Sequence, residues 1–195
     1  MGLKEAKRYI QELHKKQDNP FLWPNYLTGL PDRQAVLKKL DSVYPKIGSY
    51  GIAFVRIGNI HPYLLKYGYN RHSELIQWAA AILKTSCKGV RGSFVGTVGT
   101  HDFLLIAPAK RLDSLLSASD RLFRKKAMQF YNETDRSRGY IFSFKDDSGS
   151  NVKVGLMKLI SYVIKEKPEV EKLNLIPYLE RLCREKEAEE QKSPQ

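Results

Sequence analysis

The chain has 195 residues, 42% of them hydrophobic, and a formal net charge of +12 at pH 7. That suits one globular domain with its own core plus terminal extensions, and no stretch reaches the ~18 apolar residues of a bilayer span. The opening MGLKEAKRYIQELHKK has no apolar segment before a small-residue cleavage site, so no secretory signal is expected; Ala6 stands where myristoylation requires Ser or Thr.

Cys87 and Cys183 sit far apart without ligand spacing and are expected as reduced, unpaired thiols of a cytoplasmic protein. The positive charge fits anionic partners such as nucleotides, nucleic acid or an acidic protein face. Its clusters, KRYIQELHKK, PAKR and RLFRKK, read as solvated helix faces. Zinc-finger spacing and an RNP-like aromatic pattern are both missing, which argues against specific nucleic-acid binding.

In chain order, Lys4 to Gln17 predicts a short amphipathic helix around Ile10 and Leu13, and DNPFLWPN breaks it with two prolines. LTGLPDRQAVLKKL turns at Gly29 and Pro31 and opens a helix with apolar Val36, Leu37 and Leu40. YGIAFVRIGNI predicts a buried strand from Tyr50 to Ile57, followed by a short helix, HPYLLKYG, ending near Gly68. SELIQWAAAILKTSC is a longer helix, capped by Ser73, with Leu75, Trp78, Ala79 and Ile82 facing inward. GSFVGTVG and DFLLIAP form a hairpin, and RLDSLLSASDRLFRKKAMQFY a helix. GYIFSFKDDSGSNVKVGLMKLISYVI predicts two strands joined at Asp147-Ser148-Gly149. The final helix is kinked or restarted at Pro177, and QKSPQ is a frayed tail. The order points to an α/β sandwich, a mostly antiparallel central sheet flanked by helices.

Within the TVGTHDFLLIAP hairpin the turn carries Gly99, Thr100, His101 and Asp102. An imidazole and a carboxylate at that tip fit a metal or phosphate site, or a polar surface turn. Several pieces in this order resemble the GGDEF domain of the diguanylate cyclase family. LTGLPDR matches that family's opening signature, FVRIGNI stands at its metal-binding strand, Tyr67-Gly68 at its tyrosine-glycine, and GTHDF, Gly99 to Phe103, at GGDEF itself. The resemblance runs from about Asn25 to Val163. It implies a nucleotidyl cyclase sandwich at 25–165, preceded by a helix and linker at 1–24 and followed by a helical extension and tail at 166–195.

The resemblance also implies a chemistry: two GTP-loaded domains face each other, carboxylates hold Mg²⁺ against the phosphates, and a 3′-hydroxyl attacks the partner's α-phosphate. Carried over one position at a time, the first metal aspartate is Arg56, the second acid Gly58 and the phosphate-side lysine His61. The guanine-reading asparagine is Leu64, and the guanine-reading aspartate is Ser73, followed by the matching Glu74. In the signature, Thr100 replaces the second glycine and His101 the catalytic acid, while Gly99, Asp102 and Phe103 keep the turn's shape and one carboxylate. A guanidinium repels Mg²⁺ instead of coordinating it, and leucine cannot pair with a guanine edge. At the product-inhibition site, Arg91 is present, but Ser93 and Phe94 follow it in place of an acid.

The expectation is therefore a catalytically inactive, GGDEF-like module of bacterial cyclic di-GMP signalling, with no catalytic residue, no metal and no cofactor. It would act through a signalling protein or a homodimer. The alternative is a metal-independent sensor of GTP or cyclic di-GMP, using Arg56, His61, Arg71 and His72, with helix amides near Asn59, or using Arg91. An altered enzyme with His101 and Asp102 as an acid–base pair is disfavoured, since adjacent strand residues point to opposite faces. Arg56 is expected to replace the metal by pairing with Asp102, unless it reaches into the pocket for an anion.

Overall fold

The computed structural model describes residues 2–16, 26–145 and 148–192. Strand β1 (Tyr50–Gly58) lies at the centre, between β3 (Asp102–Pro108) and β6 (Lys158–Ile164), and β2 (Phe94–Thr97) closes the β3 edge. Every pairing in this four-stranded sheet is antiparallel.

The central strands carry apolar runs on both faces, Ile52 to Val55 in β1 and Phe103 to Ala107 in β3, because both faces of the sheet are covered. Alternate residues of β1 enter two separate cores. Ala53, Val55 and Ile57 pack under helices α4 (His72–Ser86) and α5 (Ala109–Ala127), with α1 (Leu3–Lys16) adding Ala6 and Ile10. Ile52 and Phe54 pack under α2 (Arg33–Val43) and α7 (Leu175–Lys192), which contribute Val36, Leu40, Leu179 and Cys183. Both terminal helices thus help to build the core. Cys87, at the end of α4, and Cys183 belong to opposite layers. Burial pushes their thiols up, to about 11 and about 12.

Several expectations need correction. Leu37 is 40% exposed, and the buried stripe of α2 is Val36, Leu40 and Val43. Ser73 does not cap α4: the helix begins at His72 after Arg71, with no side-chain cap bond, and Ser73 lies in its first turn. The inner face of α4 is wider than one stripe, because α1 covers one side while α5 and β2 flank it, so Ile76, Ala80, Ala81 and Leu83 are buried as well. A short helix that the sequence reading lacks, α6 (Glu133–Arg138), starts at Asn132, whose side chain accepts from the Asp135 amide, and stops at Gly139 with φ 76°.

The segment read as two strands contains three. β4 (Tyr140–Lys145) and β5 (Asn151–Gly155) form their own two-stranded sheet, and β6 leaves them to join β1. The break falls at Met157, which is buried and whose N–H donates to the Tyr131 hydroxyl at 2.9 Å. Asp147, in the expected turn, lies outside the described residues, as do Gln17, the linker 18–25 and the tail 193–195. Pro177 falls in the first turn of α7, where its missing N–H costs no helical bond. Among the described residues no helix is long and apolar enough to cross a membrane.

Between β1 and α4 sits α3 (Ile60–Tyr67), whose end at Gly68 (φ 79°) agrees with the sequence reading. Its entry and the β2–β3 turn bring the remaining polar residues together.

Candidate functional site

The LTGLPDR segment braces the hairpin from one side. Asp32 caps α2 by accepting from the Ala35 amide at 2.9 Å. The Pro31 carbonyl accepts from the Thr97 amide at 2.8 Å, and Arg33 reaches the Val98 carbonyl at 3.1 Å. The turn closes with the Val98 and Gly99 amides both donating to the Asp102 carbonyl. The Ile57 amide donates to the His101 carbonyl, which ties the turn to β1.

Arg56 and Asp102 are directly opposed across β1 and β3. The guanidinium donates from Nε to Oδ1 at 2.8 Å and from Nη2 to Oδ2 at 3.0 Å, a bidentate pair. Both side chains are mostly covered, at 12% and 14% exposure. Two further carboxylates come from α7: Glu180 lies 3.7 Å and Glu187 3.9 Å from the guanidinium. Burial pulls the Arg56 pKa down, but the bond and charge of Asp102, helped by Glu187, outweigh it and leave it above the ordinary value.

Glu187 also caps α3. Asn59, the residue before that helix, has φ 59° and no side-chain cap bond, and its backbone N–H donates to Glu187 Oε1 at 2.8 Å. Asparagine tolerates this left-handed conformation better than other non-glycine residues. Its side chain donates to the Gly155 carbonyl at 3.0 Å and accepts from Gln191 at 2.9 Å. Sequence reasoning missed Glu180 and Glu187. The signal was their seven-residue spacing, which puts them on one helix face with Cys183 between them.

Imidazoles gather at the outer edge. His72 Nε2 and His101 Nε2 are 2.6 Å apart, and the rings of His61 and His101 meet edge-on at 5.5 Å. Burial, then His72 and His61, hold His101 down at about 4; burial and His61 lower His72 as well.

Solved structures of GGDEF domains match this chain. The GGDEF domain of DgcB from Caulobacter crescentus, in complex with c-di-GMP, superposes with a TM-score of 0.55 at 14% identity, covering 83% of this chain and 87% of that one. The chain adopts the GGDEF fold. Diguanylate cyclase SiaD from Pseudomonas aeruginosa, in complex with its activator SiaC, gives 0.57 at 13% identity over 93% of this chain and 64% of that one. The S helix–GGDEF–EAL portion of Vibrio cholerae LapD, bound to c-di-GMP, gives 0.57 at 14% identity over 96% of this chain and 38% of that one. No family model matches the sequence, and no curated protein matches it either.

The GGDEF fold here brings Arg56, Asp102, His61, His72 and His101 into one corner and leaves other predicted residues apart. Leu64 is buried in the core, and Ser73 is exposed. Gly58 has room for nothing larger: a Cβ there would stand 2.3 Å from the Ile160 side chain. Gly99 is nearly as tight, with a Cβ falling 2.9 Å from Asp102 Oδ2. Arg71 is engaged elsewhere, in two bonds to Glu74 at 2.9 and 3.1 Å and stacked 3.9 Å over Phe130. Arg91 is exposed beyond the start of β2, at the opposite end of that strand from the turn. Thr100 is exposed on the turn, and Phe103 is fully buried.

Proposed function

We propose that this chain is a signalling module of the GGDEF fold that makes no cyclic di-GMP and acts through protein contacts. The observation that carries the reading is the bidentate Arg56–Asp102 pair. A guanidinium has five donors and no acceptor, so Arg56 cannot ligate a cation. Both oxygens of Asp102, the carboxylate left in the signature turn, accept from it. Mg²⁺ needs several hard oxygen ligands at near-octahedral angles, and here a guanidinium stands at one ligand position and occupies both oxygens of the carboxylate at the other. Leu64, buried and apolar, offers nothing that would read a guanine edge.

A fold kept without the metal-holding and base-reading side chains is compatible with a docking role. SiaD, of the same fold, is in complex with a protein, its activator SiaC. A signalling protein or a second copy of this chain is the partner class proposed here.

The test is incubation of the purified chain with GTP and Mg²⁺, with chromatography of the products. No cyclic di-GMP is expected. Product that disappears in Asp102→Asn would overturn the reading. Calorimetric titration with GTP and with cyclic di-GMP belongs to the same experiment. Saturable heat lost on mutating His61, Arg71, His72 or Arg91 would replace the module by a nucleotide sensor.

A further inference from the structure

Three of the chain's four histidines neighbour one another at the surface, with His101 in contact with both His61 and His72, delivered by three elements. His61 lies in the first turn of α3, His72 opens α4, and His101 sits in the β2–β3 turn. The His72 and His101 rings are 4.9 Å apart at 68°, with their Nε2 atoms facing each other at 2.6 Å. Two neutral imidazoles in that contact share a single proton: one Nε2 donates it and the other offers a lone pair.

We propose that His72 and His101 form a two-point clamp for a divalent transition-metal ion such as Zn²⁺ or Ni²⁺, with His61 as a third donor. Imidazole nitrogen suits these ions, whereas Mg²⁺ and Ca²⁺ select oxygen. At a metal–nitrogen distance of ~2.0–2.1 Å, two ligands at right-angle to tetrahedral separation stand about 2.8–3.4 Å apart. Opening the 2.6 Å contact by less than ~1 Å therefore admits the ion. Among the described residues no three donors are already set around a single point. His61 meets His101 ring edge to ring, so it joins by rotating its exposed side chain, and water fills the remaining positions.

Charge does not bar a cation. Next to His101, the Arg56 guanidinium faces three carboxylates, those of Asp102, Glu180 and Glu187. Arg71, beside His72 in sequence, is paired with Glu74. The two thiols are buried and do not compete. An ion held here would link the start of α4 to the signature turn, independently of whether the chain turns over GTP.

The experiment uses the whole chain, stripped with EDTA and dialysed, titrated calorimetrically with ZnCl₂, NiCl₂ and MgCl₂ and followed by thermal unfolding and by the visible spectrum of the Co²⁺ form. One ion per chain is expected for Zn²⁺ or Ni²⁺, with a raised melting temperature, and no response to Mg²⁺. Binding should be lost in His72→Gln and in His101→Gln, and weakened in His61→Gln, with far-UV dichroism unchanged in all three. Absence of binding by both transition ions, or its survival in the His72→Gln/His101→Gln double variant, would overturn the clamp. Unchanged affinity in His61→Gln would remove His61 as the third donor.

Discussion

Arg56 and Asp102 face each other across two antiparallel strands and exchange two charge-assisted hydrogen bonds, at 2.8 and 3.0 Å, in the corner where β1 meets the signature turn. The pair fastens the central strand to the hairpin. Its net contribution is modest, because desolvating two ions offsets much of their attraction, but either partner left alone is an uncompensated charge in a mostly covered site.

Arg56→Met and Asp102→Asn should each lower stability by about 2–4 kcal/mol, somewhat below the range for fully buried pairs. The double variant should cost less than the sum, with a coupling energy of at least about 1 kcal/mol. Urea unfolding of the four proteins measures this. Additive effects would show that the two side chains do not interact in solution.

Glu187 connects the two ends of the domain, 128 positions from the amide it accepts from. In Glu187→Ala the Asn59 N–H loses its partner in a buried setting, at a cost of about 1–3 kcal/mol. Glu187→Gln keeps an acceptor oxygen and should cost less than half of that. Amide exchange at Asn59 should accelerate in the alanine variant and change little in the glutamine one. Equal exchange in both variants would mean that the cap is not formed.

His101 makes stability depend on pH with a definite sign. Its pKa is held at about 4 in the folded chain, against 6.5 when unperturbed. Above pH ~6.5 neither state binds the proton, and the neutral ring's contribution is complete. As pH falls from ~6.5 towards about 4, the unfolded chain takes up a proton that the folded chain refuses, so stability declines through that window. Urea midpoints measured in EDTA at several pH values should fall more gently in His101→Gln than in the parent. Parallel slopes would refute the assignment.

Much of this was readable from local pattern. The β1 run is apolar on both faces, and the hairpin and its turn are bounded by Gly99 and Asp102. The α2 start after Pro31-Asp32 follows from turn and cap chemistry confined to a few neighbouring residues. Even the Arg56–Asp102 pair could be expected, because the resemblance to the GGDEF domain sets these two residues at positions that hold one cation between them.

Features that depend on distant docking were not readable. The chain between Gly139 and Val163 has the composition of one long hairpin, and only the insertion of Met157 beneath Tyr131 splits β6 away to β1. Ser73 looks like a helix cap by type, yet the helix starts one residue earlier. Glu180 and Glu187 read as ordinary exposed acids of a charged helix until α7 packs across β1 and β6 and turns them onto Arg56 and Asn59. The meeting of His72 and His101 follows in the same way from how α4 seats against the sheet. The sequence by itself determined which residues could be strand, turn or cap, because those choices are settled by steric and hydrogen-bonding preferences over a few residues. Tertiary structure alone decided which of the other charges and imidazoles became partners, because those contacts join segments 29 to 131 positions apart, and packing of the two cores sets where each helix lies.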